Sequence, residues 1–196
     1  MESKLPACGS PQLNILVQRV RFASRRGSDG LVADRVATAL RPFLGDPDLL
    51  LPAQCEPDPE RYRQHILYVA DDGAFSIVAL VWLPGQSTPV HDHVCWCVVG
   101  VHEGQELGLQ YALAEMEDSQ FLLPVSLSTN VVGSVEALTP PGDIHCVVNP
   151  GPGLAVSIHV YGADVRQLGS SIRRRYETDV PLPALPQKIA ARAAAS

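Results

Sequence analysis

Past residue 60 the chain breaks into short β-rich runs separated by turn residues, and this rhythm limits its fold more than any other feature. The runs cover residues 65–70, 75–83, 95–101, 105–112, 131–138 and 153–160. Asp72-Gly73, Pro84-Gly85, Pro141-Gly142 and Pro150-Gly151-Pro152-Gly153 divide them, each pairing residues that favour turns over strands. Many short strands at regular spacing predict an all-β sandwich or closed barrel. Ahead of them, Leu13, Ile15, Leu16, Val20 and Phe22 open an apolar run. Leu31, Val32, Val36 and Leu40 then recur at helical spacing, so two helices are expected, the second ending near Pro42. The 196 residues suit one domain. Its expected parts are a helical portion over 1–59 packed on the barrel, the barrel over 60–180, and a Pro- and Ala-rich tail over 181–196.

One run closes on His91-Asp92-His93. Side chains two apart on a strand share a face, so both histidines can hold one metal ion while Asp92 turns away. A third histidine, His145, follows the turn in Pro140-Pro141-Gly142-Asp143-Ile144-His145 and stands at the start of another strand. Three imidazoles leave coordination positions open, as a catalytic site requires. Imidazole alone does not select among Fe, Zn, Cu and Ni. Cys146, next to a ligand, is expected to face away from the metal, and His102 to be an exposed turn residue.

A second pattern is Ser157-Ile158-His159-Val160-Tyr161. On a strand, Ser157, His159 and Tyr161 share one face and can pass hydrogen bonds along it, with Ile158 and Val160 packed behind. A solvated polar face of an antiparallel sheet gives the same alternation.

Composition excludes several roles. A net charge of −6 argues against nucleic acid or an anionic membrane as partner, and Arg173-Arg174-Arg175 reads as a solvated helix face. No stretch approaches the ~18 apolar residues of a membrane span, and the first residues lack the apolar core of a signal peptide. Five cysteines (Cys8, Cys55, Cys95, Cys97, Cys146) form no CxxC pair and suit a reducing cytoplasm.

The two histidine segments resemble the paired motifs of the cupin superfamily. Gly85, His91, His93 and Gly104 match the first motif; Pro140, Gly142, His145 and Asn149 match the second, with Gly133 displaced by one residue. The resemblance implies a mainly β fold, the cupin jelly-roll barrel or double-stranded β-helix, with N-terminal α-helices. Where the first motif usually carries a glutamate ligand, this chain has Cys97.

Across residues 60–165 the segments HDH, PPGDIH and SIHVYGAD are similar to the thiol dioxygenases of the cysteine dioxygenase group. That likeness implies one Fe(II) per chain on His91, His93 and His145, and a catalytic triad of Ser157, His159 and Tyr161. The reaction it implies adds both atoms of O2 to the thiolate of a small carboxylated thiol, giving a sulfinate. Gln64, Trp96 and the phrase FSIVALVWLPGQSTPVHDH resemble the 3-mercaptopropionate branch, so that thiol is favoured, cysteine comes next, and mercaptosuccinate is a further candidate. Gln64 would bind the substrate's polar end and an arginine after the triad its carboxylate: Arg173, with Arg166 and Arg174 as alternatives. In mammalian members a cysteine in the frame of Cys97 is linked to the triad tyrosine, so the resemblance offers a Cys97–Tyr161 thioether; the alternative is a small buried thiol that only fills space. The rival readings are another metal-dependent cupin enzyme and a cupin that only binds a small ligand.

Overall fold

A computed structural model describes residues 9–116 and 119–177. Cys8, the end of the expected barrel segment and the tail lie outside them. Two helices come first, α1 (Pro11–Ala23) and α2 (Asp29–Leu40). Ser10 caps α1, accepting from the Leu13 N–H at 3.0 Å, while its hydroxyl donates to the Leu49 carbonyl at 2.7 Å. One side chain therefore starts the helix and ties it to the loop after α2. Pro42 lies in a 3₁₀ turn, Arg41–Phe43, directly after α2.

Among the described residues ten strands follow: β1 (Arg63–Val69), β2 (Ser76–Trp82), β3 (Val90–His93), β4 (Cys97–Glu103), β5 (Gln105–Met116), β6 (Ser119–Val131), β7 (Val135–Leu138), β8 (His145–Val148), β9 (Ala155–Tyr161) and β10 (Ile172–Tyr176). A short helix, α3 (Val165–Leu168), precedes the last. They form two five-stranded antiparallel sheets, β1-β2-β9-β4-β7 and β10-β3-β8-β5-β6. Without the outer strands β1 and β10, the remaining eight follow the strand order of a jelly roll, β2-β9-β4-β7 facing β3-β8-β5-β6. The fold is thus the cupin double-stranded β-helix, with helices in front.

Burial follows the two-residue period of each strand. In β9, Ile158 and Val160 join α1 and α2 in one apolar core that also takes Ile77 and Ala79 of β2 and Val98 of β4. Val78, Leu80, Trp82, Cys97, Val99 and Tyr161 form a second core between the two sheets. A third, with Val90, Leu107, Leu109, Cys146 and Val148, lies on the opposite face of the second sheet. Cys146 thus packs away from His145, as expected. Gly104 turns β4 into β5 at φ 71°, and a Cβ there would meet the Leu154 carbonyl at 2.5 Å, so the motif glycine is required twice over.

Three expectations change. Arg173-Arg174-Arg175 belong to strand β10, hydrogen-bonded to β3, and not to a helix. The 131–138 run is two strands with a turn, and β6 begins twelve residues earlier. His102 is buried in β4, its Nδ1 accepting from the Gly45 N–H at 3.2 Å. Among the described residues no helix is long and apolar enough to cross a membrane.

Candidate metal centre

β3 and β8 meet in register at His91 and His145, and His93 lies two residues on along β3. The three rings are buried, and their ligand atoms lie within 4.8 Å of one another. Each ring is held by its other nitrogen. His91 Nδ1 lies 2.9 Å from the Pro89 carbonyl, His145 Nδ1 2.8 Å from the Asp143 carbonyl, and His93 Nδ1 2.9 Å from Asp143 Oδ2. Those oxygens can only accept, so every Nδ1 carries the proton and every Nε2 keeps a lone pair. Burial, helped by the neighbouring imidazoles, lowers His91 to about 4 and His145 to about 3. Both are therefore neutral ligands near pH 7. The cluster can hold a divalent metal with no carboxylate in the set.

Asp143 deserves its place in the motif for a reason sequence reasoning missed. Its Oδ2 also accepts from the His93 backbone N–H at 3.0 Å, so one carboxylate fixes both the backbone and the ring of a ligand. Burial pushes this carboxyl up, but the two His93 hydrogen bonds outweigh it and hold it below the usual carboxylate range. The signal was present in Gly142-Asp143-Ile144-His145, though only folding brings it against β3.

The imidazoles line a cavity of about 380 Å³ together with Gln64, His159, Tyr161 and Arg175. Across it, Tyr161 OH lies 3.2 Å from His159 Nδ1, and His159 Nε2 lies 3.0 Å from Ser157 Oγ. Ser157 stands behind His159, away from the cavity lining, and accepts from Trp82 Nε1–H at 3.1 Å. Burial drives His159 well below, and Tyr161 well above, their ordinary values, so both are neutral. Cys97 is the direct cross-strand partner of Tyr161. Trp96 lies outside the cavity, packed against Gly162.

The structure brings Gln64 to the cavity but none of the three expected arginines. Arg173 pairs with Asp92, Arg166 with Asp164 at 3.3 Å, and Arg174 lies over the Tyr176 ring at 4.7 Å. For Arg174 the cause is a register shift in β10 between Ile172 and Arg174. Past it, Arg175 comes opposite His91 and faces the cavity, with Arg61 at the mouth. Burial pushes the Asp92 carboxyl up, but Arg173 and Tyr176 outweigh it and keep it low. Arg173 thus fastens β10 to the outer face of β3.

No family model matches the chain. Among solved structures, it resembles a double-stranded β-helix protein from Klebsiella pneumoniae (16% identity, 57% of this chain and 85% of that one, TM-score 0.43). A cupin from Desulfovibrio desulfuricans (19%, 57% and 92%, 0.41) and a Cupin 2 conserved barrel protein from Salinispora arenicola (21%, 61% and 92%, 0.40) are similar in the same way. By its own strand order, the chain has a cupin fold with a three-histidine cluster able to hold a metal.

Proposed function

We propose that the protein is a thiol dioxygenase acting on a small carboxylated thiol, 3-mercaptopropionate before cysteine, with one Fe(II) held by His91, His93 and His145. The observation that carries this reading is the opposition, across one cavity, of a carboxylate-free histidine cluster and the Tyr161–His159–Ser157 hydrogen-bonded line. Fe(II) would supply the redox chemistry by which both atoms of O2 join a thiolate to give a sulfinate.

The chain's own residues do the rest. The thiol end of the substrate points at the three imidazoles. Arg175 takes the carboxylate, because it is the arginine of β10 that lines the cavity, and Gln64 hydrogen-bonds the same polar end. Tyr161, neutral and buried, donates a hydrogen bond into the cavity, and His159 fixes its direction. Walls such as Leu80 and Val147 exclude water around the thiol. Cys97, opposite Tyr161 across β4 and β9, would be the partner of Tyr161 in a thioether.

Oxygen uptake with Fe(II) and each thiol, together with detection of the sulfinate by mass, tests the reading. Consumption dependent on 3-mercaptopropionate, with a higher kcat/KM than for cysteine, is expected. Absence of uptake with every small thiol overturns it. A peptide pair joined through Cys97 and Tyr161 and lighter by two hydrogens is expected in protein that has turned over.

A further inference from the structure

Glu106 is 1% exposed on β5, inside the barrel but outside the cavity lining, and its Oε1 has no hydrogen-bond partner. A buried carboxyl without a cation is costly, so its surroundings matter. The Ser157 hydroxyl of β9 and the Trp82 indole of β2, joined to each other at 3.1 Å, are the polar side chains that act on it, and Glu136 of β7 is the charged one. Glu136 is itself bonded to Gln110 on β5. Beyond Ser157 the contacts continue through His159 to Tyr161 at 3.0 and 3.2 Å. A line of polar groups therefore crosses the barrel, from a hidden carboxyl on one sheet to the phenol at the cavity on the other.

Each member of this line is both donor and acceptor, so the direction of one hydrogen fixes the next. We propose that Glu106 is a positioning residue which, through Ser157 and the tautomer of His159, sets whether the Tyr161 hydroxyl offers its hydrogen to the cavity. When Glu106 is protonated it donates to Ser157 Oγ, which also accepts from Trp82. Ser157 then donates to His159 Nε2, the proton sits on Nδ1 and is given to the Tyr161 oxygen, and the phenol hydrogen is free to point at substrate. When Glu106 is ionised it draws the Ser157 hydrogen. His159 then carries its proton on Nε2, and Nδ1 accepts the hydrogen of Tyr161, which is lost to the cavity. The proton released by Glu106 goes to solvent; nothing else changes its charge.

Burial, reinforced by Glu136, raises the Glu106 carboxyl to about 7 against the opposing pull of Ser157 and Trp82, which puts the change of direction near neutral pH. The catalytic meaning rests on the dioxygenase reading, but the change of tautomer does not. The test is long-range ¹H–¹⁵N correlation of the full-length chain, metal-free and Zn(II)-loaded, across pH 5 to 9. The His159 proton is expected on Nδ1 at low pH and on Nε2 at high pH, with the Glu106 carboxyl carbon shifting at the same midpoint. Glu106→Gln, whose amide donates to Ser157 at every pH, is expected to hold the proton on Nδ1 throughout. In turnover, the wild type is expected to lose kcat above the midpoint and Glu106→Gln to keep it. A His159 tautomer constant with pH in the wild type, or one that still switches in Glu106→Gln, overturns the proposal. Lack of oxygen uptake with any thiol defeats the dioxygenase reading and leaves the tautomer result standing.

Discussion

Each of His91, His93 and His145 gives one nitrogen to the protein and keeps one for a ligand, so their orienting partners matter as much as the rings. Asp143→Asn keeps the fold of the turn but turns an acceptor that held both a ring and a backbone N–H into a weaker one. Metal affinity is expected to fall about 10- to 100-fold, read by competition with a chelator. His145→Ala is expected to lose metal and turnover together, whereas Tyr161→Phe should keep full metal content and lose roughly 10- to 100-fold in kcat. Arg175→Ala removes a charged hydrogen-bond donor and is expected to raise KM for the thiol by about 10- to 100-fold, while Arg173→Ala, which loosens the tie of β10 to Asp92 but removes no cavity contact, is expected to raise it less. The two imidazoles with depressed values also set a pH response. In the unfolded chain they take protons below about 6.5, but in the folded, metal-free protein not until about 4 and about 3. The unfolded state therefore binds more protons in that window, and stability falls as pH drops from 6.5 towards 4. Urea midpoints for the metal-free protein should decline across it; a flat profile there contradicts the assignment. The histidines themselves were legible because a two-residue period is a local property. Asp143 and Arg175 were not, since one acts on a strand fifty residues away and the other depends on a slip in pairing.

At the scale of elements, alternation decided what could be read. β9 was plain from sequence because its faces differ in chemistry: Ser157, His159 and Tyr161 look inward, and Ile158 and Val160 pack on the helical layer. Ile158→Ala is expected to cost about 2–5 kcal/mol, seen in denaturant unfolding, with metal affinity unchanged. β10 defeated the same reasoning, because three arginines in succession show no alternation; what makes them a strand is pairing to β3 and the Arg173–Asp92 link. β6 is an edge strand carrying Pro124 and a polar Ser-Thr-Asn stretch, so its signal was weak until β5 supplied a partner. Gly104 belongs to this scale too. Gly104→Val adds bulk against the Leu154 carbonyl at a left-handed turn and is expected to destabilise by about 2–4 kcal/mol, read in the same unfolding measurement.

Across the whole molecule, helices, first sheet and second sheet stack as three layers, and the two hydrogen-bonded sheets do different work. The first sheet, pinned from outside by α1 and α2, carries Ser157, His159 and Tyr161; the second carries the ligands. In that second sheet β3 and β8 share the His91–His145 register pair, and the stretch leading into β3 continues the join through the Ser87–Val148 bridge, Thr88 N–H to the Val147 carbonyl and Asn149 N–H to the Gln86 carbonyl, both at 3.0 Å. Two ligands stand on one side of this seam and one on the other. A metal ion there is mechanically a rivet, set at the ligand end of the join, where β3 and β8 themselves share one register pair. Loading at a hundredfold excess over Kd should stabilise the protein by about 2.7 kcal/mol, and the slowing of amide exchange should concentrate along β3 and β8 instead of spreading through the barrel. The same rivet makes the ion part of the wall it sits in: pulling the metal should open the seam before it unfolds the helical layer.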